Sequence, residues 1–259
     1  MTTFLRFQDG QRPRHGVLDG QTVYPLVRGT PFGAFRRGRE GRTLSEVRLL
    51  PPCQPTKIIA MAVNYPTHVR DGARHMGSQA SVGEPQPFLK ATSCLAGPGD
   101  DVVLPPGAGP VHYEGEMVVV IGRKCRAVSP EKAVDYVLGV TCGNDVSARE
   151  WQRNDKQWWR AKGSDTFAPL GPWIVTGLDP MDLGLALRLN GQTRQQARTS
   201  ELIHGVPDII SFISRYMTLE PGDVIYTGTP GTTDEMCAGD VVEVEVEGVG
   251  VLRNRVRGG

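Results

Sequence analysis

Hydrophobic and polar positions alternate along this chain in short runs, and that period of two predicts strands far more often than helices. Two such runs open it, "FLRFQDG" and "RHGVLDGQTVYPL", the second with Asp19-Gly20 where a hairpin turn belongs. The proline-rich "LLPPCQPTK" then breaks the pattern and predicts a boundary, with a small N-terminal β region over 1–52 and a larger unit over 53–259. In the larger unit "KIIAMAVNY" reads as a buried strand. Residues 64–87 form a polar connection of a length that is usually functional or disordered. "VHYEGEMVVVIG" and "LGVTCGNDV" follow as strands, with helices expected at "SPEKAVDYV" (Ser129 as N-cap), at "SAREWQ" (Ser147 and Glu150 as a capping box) and at "GVPDIISFISRYM". The 32 glycines and 20 prolines fit many strands and turns, giving an α+β, β-rich fold class.

Composition removes several functions. A formal net charge of +1 supplies no field for gathering nucleic acid or an anionic membrane. Arg36, Arg37, Arg39 and Arg42 cluster without a glycine-rich phosphate cradle and read as a solvated loop. Five scattered cysteines with no Cys-x-x-Cys argue against a disulfide framework or a cysteine zinc site. The start lacks the apolar core of a signal peptide, and no apolar run approaches the roughly 20 residues of a membrane span. The expected setting is cytoplasmic.

The chemistry gathers around "HYEGEMVVVIG". On a strand Glu114 and Glu116 point the same way, about 6.6 Å apart at about 3.3 Å per residue. Their face continues with Val118 and Val120, and Met117, Val119 and Ile121 fill the other, so the strand is interior. Two like charges at its mouth raise each other's pKa unless a positive charge sits between them. "VVEVEVEGVGVL" is an internal control: Glu243, Glu245 and Glu247 have the same spacing, but strict alternation with valine assigns them to a wet face. Asp145 is a third carboxylate, either a metal ligand or an Asx-type turn residue before the next helix. Lys162 lies in a Gly- and Pro-punctuated loop, "WWRAKGSDTFAPLGPW", either steadying a developing anion or simply exposed. His68 and Asp71 are three apart, either a general base with its orienting carboxylate or a surface pair. "GDVIYTGTPG" could hold a carboxylate through its amides and Thr229, or merely turn the chain. It lacks the signature of a nucleotide-binding P-loop.

In order, "YEGEMVVVIG", "NDVSAREWQ", "RAKGSDTFAPLGPWIVT", "LEPGDVIYTGTP" and "GDVVEVEVEGVGVL" resemble the fumarylacetoacetate hydrolase family over roughly residues 55–259. The resemblance implies a mixed β-roll and a magnesium or manganese ion held by Glu114, Glu116 and Asp145. It further implies a small 2-oxo acid as substrate, with the ion stabilising the enolate formed when a carbon–carbon bond breaks. By motif position it places the active-site lysine at Lys162 and substrate contacts at Gln152 and Thr229. Thr166 falls behind the metal ligands, and the water-activating histidine is His68. Members commonly form homodimers. The chain departs from the pattern at Asp71, where hydrolases generally carry a glutamate, and in the shorter loop after Thr229.

The reaction expected is therefore acylpyruvate-type hydrolysis or oxaloacetate-type decarboxylation. The alternatives are isomerisation of an unsaturated 2-hydroxy diacid, such as 2-hydroxyhepta-2,4-diene-1,7-dioate, and a catalytically silent metal binder. Joint retention of Glu114, Glu116, Asp145, Lys162 and Thr229 argues against the silent binder.

Overall fold

The computed structural model describes residues 1–69 and 83–259. An N-terminal meander, β1 (Thr3–Asp9), β2 (Arg12–Asp19) and β3 (Thr22–Arg28), precedes β4 (Ile58–Met61) and β5 (Pro87–Lys90). The central strands β6 (Gly115–Ile121) and β7 (Val137–Asn144) flank a short helix α1 (Pro130–Ala133). Helices α2 (Arg149–Asn154) and α3 (Trp159–Gly163) lead into β8 (Ala168–Val175). The hairpin β9 (Gly184–Leu189) and β10 (Gln192–Arg198) is followed by α4 (Val206–Tyr216), then β11 (Val224–Tyr226), β12 (Val241–Val246) and β13 (Gly250–Gly258). The fold is α+β and β-rich, as the alternation predicts.

One large sheet runs β3-β2-β1-β8-β7-β6-β11-β4-β5, and a second holds β13-β12-β9-β10. The meander is hydrogen-bonded onto the large sheet through the β1–β8 pair, yet Leu5, Phe7 and Val23 make a small core of their own. β6 lies between β7 and β11, and every one of its residues is buried. A strand shielded on both faces has no wet side to alternate with, which explains its unbroken "MVVVI". β12 shows the opposite case: Val242, Val244 and Val246 are buried while Glu243 and Glu245 remain partly solvated. Helix α4 buries Val206, Ile209, Ile210 and Ile213, the one-sided spacing of an amphipathic helix.

Two local expectations are corrected, at Ser147 and Lys162, and the helix at "SPEKAVDYV" is found in a shorter form. Ser147 does not cap a helix: it sits in the two-residue strand Ser147–Ala148, its hydroxyl donates to the Asp145 carbonyl at 2.8 Å, and α2 starts at Arg149 with Ala148 as N-cap. "SPEKAVDYV" forms one α turn, α1, and then the 3-10 turn Val134–Tyr136. Ser129 takes the N-cap position without a side-chain bond to the helix. Lys162 lies in a short helix, not a loop, and is buried. Among the described residues no helix is long and apolar enough to cross a membrane, and all five cysteines are free.

Gly143 of β7 pairs with Glu116 and lies beneath the Tyr226 ring. A Cβ there would fall 2.4 Å from both Tyr226 Cε1 and Val118 Cγ2. Gly143→Ala is expected to cost about 1–3 kcal/mol, read as a lowered melting temperature. Gly33→Ala, with no atom within 4 Å of the new carbon, should stay within about 0.5 kcal/mol of the parent.

Candidate active site

The end of β7 and the start of β6 are locked together just outside their ladder. The Glu114 amide donates to Asn144 Oδ1 and the Asp145 amide to the Glu114 carbonyl, both at 2.8 Å. This pairing carries Glu114, Glu116 and Asp145 to one point, with a carboxylate oxygen of each within 4.8 Å of the others and all three residues buried. Gly115 separates the two glutamates because Leu187 presses in from the second sheet: a Cβ at 115 would lie 2.9 Å from Leu187 Cβ. Beyond β11 the chain turns at Gly228, whose φ of 111° and closeness to Asn64 exclude a side chain. That turn aims the Gly228 amide at Glu116 Oε2, 2.6 Å away.

Three buried cations face the three carboxylates. Lys162 Nζ lies 2.6 Å from Glu114 Oε2 and 2.8 Å from Asp145 Oδ2. Lys90, at the end of β5, pairs with the other Asp145 oxygen. Arg149 pairs with Glu114 Oε1, donates to Gln152 Oε1 at 2.7 Å and reaches Thr233 Oγ1 at 2.6 Å. Burial alone would raise the Glu114 carboxyl, but Arg149 and Lys162 override it and hold the group well below the usual carboxylate range. Burial, Asp145 and Glu114 instead push Glu116 well above that range, and its amide bond to Gly228 only partly offsets them. Burial disfavours the charged Lys162 ammonium, yet Asp145 and Glu114 outweigh it and its pKa rises. Glu116 is the carboxylate with no cation of its own among the described residues.

A small cavity over this cluster is lined by Val63, His68, Phe88, Glu114, Gln152, Trp158, Lys162 and Thr229, among others. It therefore gathers His68, Glu114, Gln152, Lys162 and Thr229, residues from distant parts of the chain. His68 sits in a helical turn at 66–69, and its Nδ1 lies 2.8 Å from the Gly231 carbonyl. A carbonyl can only accept, so Nδ1 carries a proton, and in the neutral ring the lone pair is the one on Nε2. Asp71 lies outside the described residues. Val63, at the cavity wall, has a φ of 53°, a strained conformation for a β-branched residue. Thr166 has a φ of 68°, and its hydroxyl accepts a hydrogen bond from the Val103 amide at 2.8 Å.

Arg149 and Lys90 escaped the sequence reading. Arg149 had a usable signal, since it stands one helical turn before Gln152 and so shares its face. Lys90 had none: it simply ends "PFLK", and only the pairing of β5 with β4 buries it.

Residues 57–257 match the family model described as Fumarylacetoacetate (FAA) hydrolase C-terminal, and residues 3–52 match Rv2993c-like, N-terminal. The mitochondrial oxaloacetate tautomerase Fahd2a of Rattus norvegicus is 37% identical over 267 residues, spanning 93% of this chain and 84% of that protein. The crystal structure of 2-hydroxyhepta-2,4-diene-1,7-dioate isomerase from Mycobacterium marinum aligns with a TM-score of 0.90 at 40% identity, covering 100% of this chain and 99% of that one. Maleylpyruvate hydrolase from Sphingobium sp. SYK-6, solved with manganese(II) and pyruvate, aligns with a TM-score of 0.80 at 31% identity, covering 99% of each chain. With the family model spanning most of the sequence and named enzymes among its relatives, the chain is an enzyme that belongs to the fumarylacetoacetate hydrolase family.

Proposed function

We propose that this enzyme holds a divalent cation, magnesium or manganese, through Glu114, Glu116 and Asp145, and breaks a carbon–carbon bond in a small 2-oxo acid. The reactions in view are acylpyruvate-type hydrolysis and oxaloacetate-type decarboxylation. The observation that carries the reading is a buried carboxylate trio beneath a cavity that also holds His68, Gln152 and Lys162. The residues fit such an ion on their own terms. All-oxygen donors suit a hard dication, and Glu116, raised by burial and by its acidic neighbours and without a cation of its own among the described residues, is the group that a dication would keep ionised.

When bound, the cation supplies a Lewis acid that draws developing charge onto the substrate's 2-oxo oxygen. Lys162, already charged and fixed by two carboxylates, adds a preorganised positive field beside that oxygen. Gln152 spends its Oε1 on Arg149, which leaves its amide N–H groups to donate to substrate. The Gly-Thr-Pro loop at Thr229 takes the substrate carboxylate. His68, whose neutral ring held through Nδ1 presents the Nε2 lone pair, accepts a proton from water in hydrolysis. A second reading, tautomerisation or isomerisation, needs only proton transfer at His68, and it is supported by the tautomerase and isomerase named among the relatives.

We also infer a homodimer. Its support is an apolar surface around a cavity of about 610 Å³, where Leu89 is 54% exposed and Trp159 and Tyr216 are each 72% exposed.

EDTA-treated protein should turn over neither oxaloacetate nor a short acylpyruvate, and magnesium should restore one of them. Glu116→Ala should not be restored, and preference for a dienedioate would instead select the isomerase. His68→Gln should lower kcat by about 10²–10⁴-fold while leaving the magnesium-induced rise in melting temperature intact.

Without metal, pH gives a separate check. The folded chain keeps the Glu116 proton above the ordinary carboxyl value of 4.5. Above that value the unfolded state therefore binds fewer protons, and stability falls as pH rises towards the folded pKa. Metal-free protein should thus melt lower at about pH 8 than at about pH 5, and Glu116→Gln should flatten that slope. An unchanged slope in Glu116→Gln would remove Glu116 as the strained group.

A further inference from the structure

Gln195 lies on β10, in the second sheet, outside every motif read from the sequence, yet it is buried and reaches the floor of the active site. Its Oε1 accepts from the Gly115 amide at 2.9 Å, and its Nε2 donates to the Pro230 carbonyl at 2.6 Å and to Thr229 Oγ1 at 2.8 Å. These partners leave no freedom in the amide's orientation. The Gly115 N–H can only donate and the Pro230 carbonyl can only accept, so oxygen and nitrogen cannot be exchanged. The second amide proton therefore goes to Thr229 Oγ1, which must accept it. The single hydroxyl proton of Thr229 is in turn committed to the Gly115 carbonyl at 2.9 Å.

A hydroxyl has one proton and two lone pairs. With its proton on Gly115 and one lone pair on Gln195, Thr229 has no side-chain proton for an anion. Its main-chain N–H has no hydrogen-bond partner among the described residues, and Thr229 lines the cavity. We propose that Gln195 is a positioning residue that fixes the Thr229 hydroxyl as an acceptor, so that the Gly-Thr-Pro loop meets a substrate carboxylate through the Thr229 main-chain N–H. This rests on the reading that the loop takes the carboxylate. It adds a determinant contributed by the other sheet, and it gives the Thr229 side chain an indirect role.

The test uses manganese-loaded protein, with pyruvate as the smallest 2-oxo acid probe, followed by calorimetry. Gln195→Met and Thr229→Val should each weaken pyruvate about 10-fold, and the double variant no further, because both release the same loop. Manganese affinity should stay within about threefold, whereas general loosening of the fold would weaken both ligands. Thr229→Ser, which keeps the hydroxyl, should bind like the parent. Gln195→Glu, of nearly the same shape, sets a carboxylate against the Pro230 carbonyl and should weaken pyruvate at least as much as Gln195→Met. Pyruvate binding unchanged in Gln195→Met but lost in Thr229→Val would overturn the proposal, since the hydroxyl would then act alone. If the parent binds no pyruvate, the 2-oxo acid reading fails and amide exchange decides for Gln195. Exchange at Gly115 and Thr229 at least 10-fold faster in Gln195→Met, with β12 unchanged, upholds the brace, and unaltered exchange at both sinks it.

Discussion

Three carboxylates drawn within 4.8 Å of one another in a buried site would drive the strands apart if nothing opposed them. Opposite them stand Lys90, Lys162 and Arg149, all buried, each from a different element. Removing one partner of a buried pair typically costs about 3–5 kcal/mol, because the other charge is left stranded. Strand β5 and helices α2 and α3 are therefore tied to the centre through their charged ends as well as through apolar packing. Buried ion pairs seldom add net stability over well-packed apolar residues, so folding alone gives little reason to assemble six of these groups around one cavity.

The pairing is uneven, and the unevenness is informative. Glu114 has two cations and Asp145 has two, while Glu116 has a backbone amide. Burial first, and then the nearby Asp145 and Glu114, push Glu116 towards its neutral form. Among the described residues the buried cations pair with Glu114 and Asp145, and none pairs with Glu116. That asymmetry is the physical support for the proposal that the site takes an external cation.

How much of this was legible follows from the range of each interaction. Glu114 and Glu116 stood out because an acidic pair gives way to an all-apolar face, whereas Glu243 and Glu245 alternate strictly with valine, and the burial of β6 and β12 follows that contrast. Helix α4 was readable from its one-sided spacing. The capping box at Ser147 failed because a local pattern met a tertiary competitor: the Ser147–Ala148 strand pairs with Val111–His112, and the Asp145 carbonyl takes the hydroxyl. Lys162, taken for a loop residue from its glycines and prolines, is fixed by two carboxylates far away in sequence. Lys90 and Gln195 were invisible for the same reason, since nothing adjacent to either in the chain shows what it touches.

The departure at Asp71 carries less weight once the surroundings of His68 are known. A carboxylate partner does two things for a catalytic histidine: it fixes the tautomer, and it stabilises the imidazolium. The Gly231 carbonyl already fixes the tautomer here, and the Gly231 amide is itself held by Thr67 Oγ1 at 3.0 Å. The second task falls partly to Glu114, which is ionised and close enough for His68 to help depress its pKa. Orientation is thus supplied by main chain that any sequence with this turn would present.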